Sequence, residues 1–381
     1  MLDIIREKVA NAERISDEEG LFLLSEAELL DLAPLAQEWR WRHNPEPIVT
    51  FVVDTNLNYT NVCNAYCGFC AFYRPSADDP SAYTLSVEQI LQKIERASGQ
   101  GVTTVLMQGG LNDDLDMDYY VELVRQTRER FPHITPHYFS APEIMEMTKV
   151  SGKSIAEVIS VLREAGQRTM PGGGSEILAD GVKAQVSKLW PKAAVSDWTD
   201  VHREAHRQGW MTTATMMYGH VERDEDIVES LRHIREVQDD AADQPGGFTA
   251  FIPWSFKKQN TALAPKVADE AGANRYVRMI ALARIFLDNV PHIQGSWFSD
   301  FRRPGQVSLH FGADDFGGTL FDETVMLEAG HYNRTTVDEV KTLISDAGFA
   351  PAQRTTEYEI VERYEMEPST AEVIAAGSVE A

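Results

Sequence analysis

Cysteine is nearly absent from this chain: Cys63, Cys67 and Cys70 are the whole supply, and all three fall within eight residues. An odd number grouped so tightly is poor material for disulfides, and metal binding is the reading the clustering favours. No apolar run approaches the roughly 20 residues needed to span a bilayer, so no membrane insertion is expected. The opening MLDIIREKVANAERISDEEG is a charged helix former without the apolar stretch of a signal peptide. A cytoplasmic location, where thiols stay reduced, is the expectation. Positive charge is scarce: 35 Lys and Arg against 59 Asp and Glu leave a formal net charge of −24. With no basic stripe to neutralise phosphates, nucleic acid is excluded, and an anionic lipid surface is equally disfavoured. An acidic balance otherwise reads as solubility. Internal repeats and low-complexity tracts are absent too.

What is present is the composition of a folded enzyme, 43% hydrophobic and 25% charged over 381 residues. Residues 1–45 read as helical, with Ser25 and Glu28 spaced as a capping box before Leu29. From residue 48 an apolar strand, a turn and an amphipathic helix recur. The expected strands are 48–54, 103–108, 134–140, 166–170, 211–217, 248–253, 292–297 and 307–312. Capping boxes are expected at Ser86/Gln89 and Ser154/Glu157, and Ser196 is the expected cap of the helix that carries His206. Near-continuous apolar strands alternating with helices indicate a parallel sheet buried on both faces. About eight such units predict an α/β fold, a (β/α)8 TIM-type barrel, complete or nearly so. The expected organisation is an N-terminal helical extension (1–47), the barrel (48–334), a helix/strand addition (335–366) capped at Thr336/Glu339, and a frayed tail (367–381).

The cysteines follow the first expected strand in the order Cys63-Asn-Ala-Tyr-Cys67-Gly-Phe69-Cys70. Three thiolates on one loop suit three irons of a 4Fe–4S cubane, leaving the fourth iron without a protein ligand and open to a small molecule. Structural zinc normally takes four ligands and catalytic zinc three plus water, and no His lies near this loop. Inert packing cysteines would be scattered. A fourth Cys, which an electron-carrying cluster usually has, is missing. His202 and His206 are spaced i, i+4 about Glu204, but H-x-E-x-H is not the zinc order H-E-x-x-H, and a solvated helix face is expected there.

This C-x3-C-x2-C loop resembles that of the radical S-adenosylmethionine superfamily. The resemblance implies that S-adenosylmethionine chelates the open iron and that its cleavage releases a 5′-deoxyadenosyl radical, with Phe69 beside the adenine. Gln108-Gly109-Gly110 at the second strand end is similar to the glycine segment that receives the methionine amino group. Ser140 falls in PHYFSAPEI, and Glu176 in Pro171-Gly-Gly-Gly-Ser-Glu176, where ribose or ammonium contacts are implied. TTATMMYGHVE resembles the adenine-contact segment through Gly219 and Glu222, with Thr215 in place of its first glycine. All these segments fall at C-terminal strand ends, the face on which barrel active sites are built.

Longer phrases, among them NLNYTNVC, CGFCAFYR, QGGLNDDL, PGGGSEIL, FIPWSFKKQNTAL and FGADDFGGTL, resemble one branch of the superfamily. It holds the dehypoxanthine futalosine cyclases, the aminofutalosine synthases and the two halves of deazaflavin (FO) synthase. IPWSF favours the cyclases; ADDFGG and TVMLEAGHYNR depart from the branch's usual text. The resemblance implies hydrogen abstraction from the ribose C4′ of dehypoxanthine futalosine, ring closure onto its benzoate, and loss of a proton and an electron, in menaquinone biosynthesis. It also implies a reductant such as flavodoxin or ferredoxin. Candidate bases are His220, Glu222 and Asp54; candidate substrate contacts are Arg74, Trp254 and the Gly317-Gly318 backbone. Rival readings are a related carbon–carbon-forming enzyme of the branch and a non-enzymatic iron–sulfur or zinc protein.

Overall fold

The computed structural model describes residues 1–188 and 193–366. Eleven strands are present among them: β1 Ile48–Val52, β2 Asp54–Leu57, β3 Thr104–Met107, β4 Thr135–Tyr138, β5 Thr169–Met170, β6 Met211–Tyr218, β7 Gly247–Ser255, β8 His292–Ile293, β9 Asp315–Gly318, β10 Ala350–Arg354 and β11 Ile360–Arg363. β2 to β8 pair in chain order, all parallel, with helices between most successive strands. β1 and β2 are one barrel stave broken at Val53; β1 pairs in parallel with β9 and β10. The ring closes between β8 and β9, where Asp314 N–H donates to Ile293 O (3.1 Å) and Gly295 N–H to Asp315 O (2.8 Å). The chain is a (β/α)8-type barrel.

Local sequence explains many of the helices. Ser86/Gln89 and Ser154/Glu157 form the expected capping boxes, and Thr336 caps the helix Val337–Asp346. The box in front of the first long helices is instead Ser16/Glu19; Ser25 closes the helix Asp17–Ser25 and its hydroxyl donates back to Leu21 O, so Ser25/Glu28 is no cap. Ser196 lies inside the helix Val195–Arg207, whose N-cap position is Ala194.

The last barrel strand is not where periodicity places it. VSLHFG (307–312) is helical, split between Arg302–Ser308 and a 3₁₀ turn Leu309–Phe311. Leu309 and Phe311 are buried while Val307 is exposed, and Gln37 donates to Leu309 O (2.7 Å) from the helix Leu29–His43. The eighth stave is β9, Asp-Phe-Gly-Gly, a segment without one β-branched residue. Its backbone is fixed by β1 on one side and by the end of β8 on the other, and its Asp315 is held by a buried arginine.

The C-terminal addition extends the sheet from β1, outside the closed ring. β10 lies beside β1, with Ile48 opposite Ala350, and β11 turns back antiparallel on β10. The end of β10 and the turn after it carry Arg354, Thr356 and Tyr358 onto the inner wall of the barrel cavity. Arg354 donates to both carboxylate oxygens of Asp315 (2.5 and 3.0 Å), Thr356 meets Thr104 (2.7 Å), and the Tyr358 ring stacks on His292 at 3.7 Å. Residues 367–381, read as a tail, lie outside the described residues. No helix among those described is long and apolar enough to cross a membrane.

Candidate active site

A cavity of about 320 Å³ occupies the barrel, and all three cysteines line it. Their loop is held by backbone bonds rather than by regular structure. Cys63 N–H donates to Arg74 O (2.9 Å), Asn64 N–H to Leu111 O (2.9 Å), and Gly68 N–H to Val186 O (2.7 Å). Cys63 and Cys67 are buried among Ala65 and Leu111, with Phe69, Cys70 and Tyr73 packed against them. Among the described residues, no three His, Cys, Asp or Glu side chains converge as a single-ion site does. A cubane asks for less convergence, because each thiolate binds a different iron.

Glycines at the next strand ends admit close approach. A Cβ on Gly109 would lie 2.5 Å from the Tyr59 ring, and one on Gly110 would strike the Val62 carbonyl and Cys63. The cysteine loop therefore rests directly on the Gly109-Gly110 turn. Gly174 has φ of +94°, and its N–H donates to Glu176 Oε1 (2.9 Å). Gln108, Gly109, Gly110, Ser140, Glu176, Phe69, Asp54, Trp254 and Gly318 all face the cavity.

Ser140 was legible as a strand-end residue, but its partner Glu143 was not. Glu143 is buried and accepts from Tyr59 Oη (2.7 Å), Gly109 N–H (3.0 Å), Ser140 N–H (2.7 Å) and Ser140 Oγ (2.6 Å). Burial raises its pKa against those bonds. The S-x-x-E spacing of a capping box was the available signal.

The comparisons with known proteins agree with this geometry. Residues 57–234 match the radical SAM superfamily model, and residues 245–366 match the CofH/MqnC C-terminal region. A cyclic dehypoxanthine futalosine synthase of Halalkalibacterium halodurans is 39% identical over 96% of each chain. The Streptomyces coelicolor protein of that name is 37% identical over 94% of this chain and 88% of its own. The chain belongs to the radical SAM superfamily. A 5-amino-6-(D-ribitylamino)uracil–L-tyrosine 4-hydroxyphenyl transferase of Methanopyrus kandleri is 37% identical over 83% of this chain and 85% of its own. Methylornithine synthase shares the fold, with a TM-score of 0.70 at 17% identity over 91% of this chain and 97% of that one. The hydrogenase maturase HydG of Carboxydothermus hydrogenoformans does likewise, with a TM-score of 0.72 at 14% identity over 94% and 80%.

Membership in the radical SAM superfamily implies a 4Fe–4S cluster and S-adenosylmethionine, and the donor set fits both. Three thiols share one loop, no fourth cysteine exists, and the adjacent turns leave no room for a Cβ. Other sequence candidates lie elsewhere. Arg74 is not on the cavity wall: its guanidinium donates to the carbonyls of Ala71, Phe72 and Tyr73 and to Glu328, so it ties the cysteine loop together. Gly317 also lies off the wall.

Gly219, His220 and Glu222 form a closed turn behind the end of β6. Gly219 and His220 N–H donate to the Glu222 carboxylate (2.5 and 2.9 Å), and His220 Nε2 lies 3.2 Å from Met217 O. Burial lowers the His220 pKa, with Glu222 opposing. His202 and His206 are not on a solvated face. Both are buried, both bond the Thr212 hydroxyl (3.1 and 2.8 Å), and both pack on Phe248.

Sequence reading missed three cavity residues besides Glu143. Lys257 is 8% exposed and donates to Ser255 Oγ (2.9 Å), with no carboxylate in ion-pair range among the described residues. His137 faces inward from β4, and Arg354 arrives from the C-terminal hairpin. Asp54 was anticipated. Its carboxyl accepts from Leu320 N–H (2.7 Å), and burial pushes it up to about 6.

Proposed function

We propose that the chain cyclises dehypoxanthine futalosine in menaquinone biosynthesis, working in the cytoplasm and drawing electrons from a flavodoxin- or ferredoxin-type donor. The observation that carries the reading is one cavity running from three cysteines on a single loop to an aromatic wall with Lys257, which reaches the Asp300 carboxylate only through the Ser255 hydroxyl. The 39% and 37% identities to proteins named for that reaction, each over more than nine-tenths of the chain, support the choice of substrate.

In this reading Cys63, Cys67 and Cys70 hold the cluster. Phe69, Gln108, Gly109, Gly110, Ser140 and Glu176 contact S-adenosylmethionine, while Gly219 and Glu222 shape the β6 turn from behind. When bound, cluster and S-adenosylmethionine together supply hydrogen-atom abstraction at carbon. The chain's own task is to keep water out and hold the ribose and benzoate in register. Glu143 ties the Gly109 turn, through its N–H, to Tyr59 and Ser140. Trp254, Phe256 and Phe298 offer flat apolar surface to the benzoate ring. Of the two cations on the wall among the described residues, Arg354 is engaged by Asp315, which leaves Lys257 for the substrate carboxylate. Gly318 lies on the same wall, against Asp54.

Anaerobic reconstitution should give roughly four irons per chain and release of 5′-deoxyadenosine on reduction with S-adenosylmethionine. Incubation with dehypoxanthine futalosine should yield a product two hydrogen atoms lighter by mass spectrometry. Turnover of tyrosine with 5-amino-6-(D-ribitylamino)uracil, and none of dehypoxanthine futalosine, would sink the reading.

A further inference from the structure

Ring closure onto an aromatic carbon leaves that carbon with one hydrogen too many. One electron passes to a one-electron acceptor of the iron–sulfur or flavin class, and when the proton then leaves, the C–H electron pair stays in the ring. The proton needs a base inside the cavity, and the turn that holds His220 lies outside it. We propose that His137 takes this proton, an inference that rests on the cyclisation assigned above.

β4 presents His137 to the barrel interior by simple alternation. Its neighbour Tyr138 points outward, where its hydroxyl meets Thr127 of the helix Met117–Arg130 (3.1 Å). Register places His137 beside Leu106 on β3, another cavity residue, and Thr169 on β5. The imidazole is 7% exposed, lines the cavity, and its Nδ1 is buried with no hydrogen-bond partner among the described residues. His202, His206 and His220 also each leave one buried ring nitrogen unpartnered, but the other nitrogen of each is anchored, by Thr212, Thr212 and Met217 O respectively. A buried imidazole that makes no side-chain hydrogen bond is destabilising by itself, and its cavity face is where a ligand reaches it.

The cavity carboxylates are committed by comparison. Asp54 accepts from Leu320, Glu143 from four donors, Glu176 from Gly174 N–H, and Glu323 from Val325 and Met326 N–H. Burial, with Arg354 adding to it, pushes the His137 pKa down to about 3. The ring is thus neutral with a free lone pair, and it hands its proton on readily after each turnover. A low pKa suffices here because loss of the proton restores aromaticity.

The test uses the reconstituted holoenzyme with dehypoxanthine futalosine, comparing wild type with His137→Gln and His137→Asn. Cyclised product per 5′-deoxyadenosine should fall about 100-fold or more, with substrate affinity, read by tryptophan quenching, changed far less. An unchanged ratio, or a loss of affinity that accounts for the whole defect, overturns the assignment. Wild-type protein supplies a second measurement that needs no variant to fold. Diethyl pyrocarbonate should modify His137 in peptide mapping, and bound substrate should block it. Modification that substrate leaves unaltered, or none at all, also overturns it. If wild type forms no cyclised product, the proposed function has failed instead.

Discussion

Replacing Asp54 by asparagine removes a carboxyl that folding buries and holds near pH 6. Burial favours the neutral acid, while the Leu320 amide and Arg354 oppose it. Since the native state then binds its proton more tightly than the unfolded chain, the stabilisation is full below about pH 4 and is lost as pH rises through about 6. The move from 3.8 to about 6 amounts to about 3 kcal/mol across the whole window, at about 1.4 kcal/mol per pKa unit. About 1.4 kcal/mol of it falls between pH 5 and pH 8. Asparagine does not titrate, and its carbonyl can still accept from Leu320. The difference in unfolding free energy between Asp54→Asn and wild type should therefore move by about 1.4 kcal/mol in favour of the variant from pH 5 to pH 8. Anaerobic urea unfolding followed by tryptophan fluorescence at the two pH values measures it. Taking the difference cancels the other titrating groups. A flat difference, or one favouring wild type at pH 8, refutes the claim that the cavity wall raises this carboxyl.

Gly110→Ala should push Val62 and Cys63 away, costing about 1–3 kcal/mol and lowering iron bound per chain after reconstitution; full iron content would show that the cysteine loop does not depend on this turn. Lys257→Met should raise the KM for dehypoxanthine futalosine about 10- to 150-fold, from the loss of about 1.5–3 kcal/mol in a charged hydrogen bond. The same variant should alter kcat little, and Lys257→Arg should recover part of the affinity. Arg354→Met leaves Asp315 buried without its ion pair, and a drop of about 3–5 kcal/mol in unfolding free energy is expected. A loss below about 1 kcal/mol would mean that Thr50 and Gly317, which also bond Asp315, suffice.

The features written into short stretches of chain were readable without coordinates. Cys63, Cys67 and Cys70 carry their chemistry in their spacing. The strands near 104, 135, 211 and 248 announce themselves through apolar runs bounded by turns, and Ser86, Ser154 and Thr336 mark helix starts because a cap is a bond between neighbours. Where sequence reading failed, the missing partner was distant. Val307, Leu309 and Phe311 alternate like a strand, yet long-range burial makes them helical. Asp315-Phe-Gly-Gly is three parts poor strand formers and becomes a stave because β1 and Arg354 hold it. Arg74 has the charge for a substrate carboxylate but spends it on its own loop.

The sequence by itself determined that a cluster-binding loop opens a run of strand–turn–helix units, because those signals depend on contacts a few residues apart. Only the tertiary structure decided which side chains share the cavity. His137, Lys257 and Arg354 together span more than 200 positions of the chain, and barrel closure alone brings them to one cavity. It also separated His220 and Glu222 from that wall, although they sit beside Met217, which lines it. A residue's facing depends on strand register and on what packs behind it, and no local pattern encodes either.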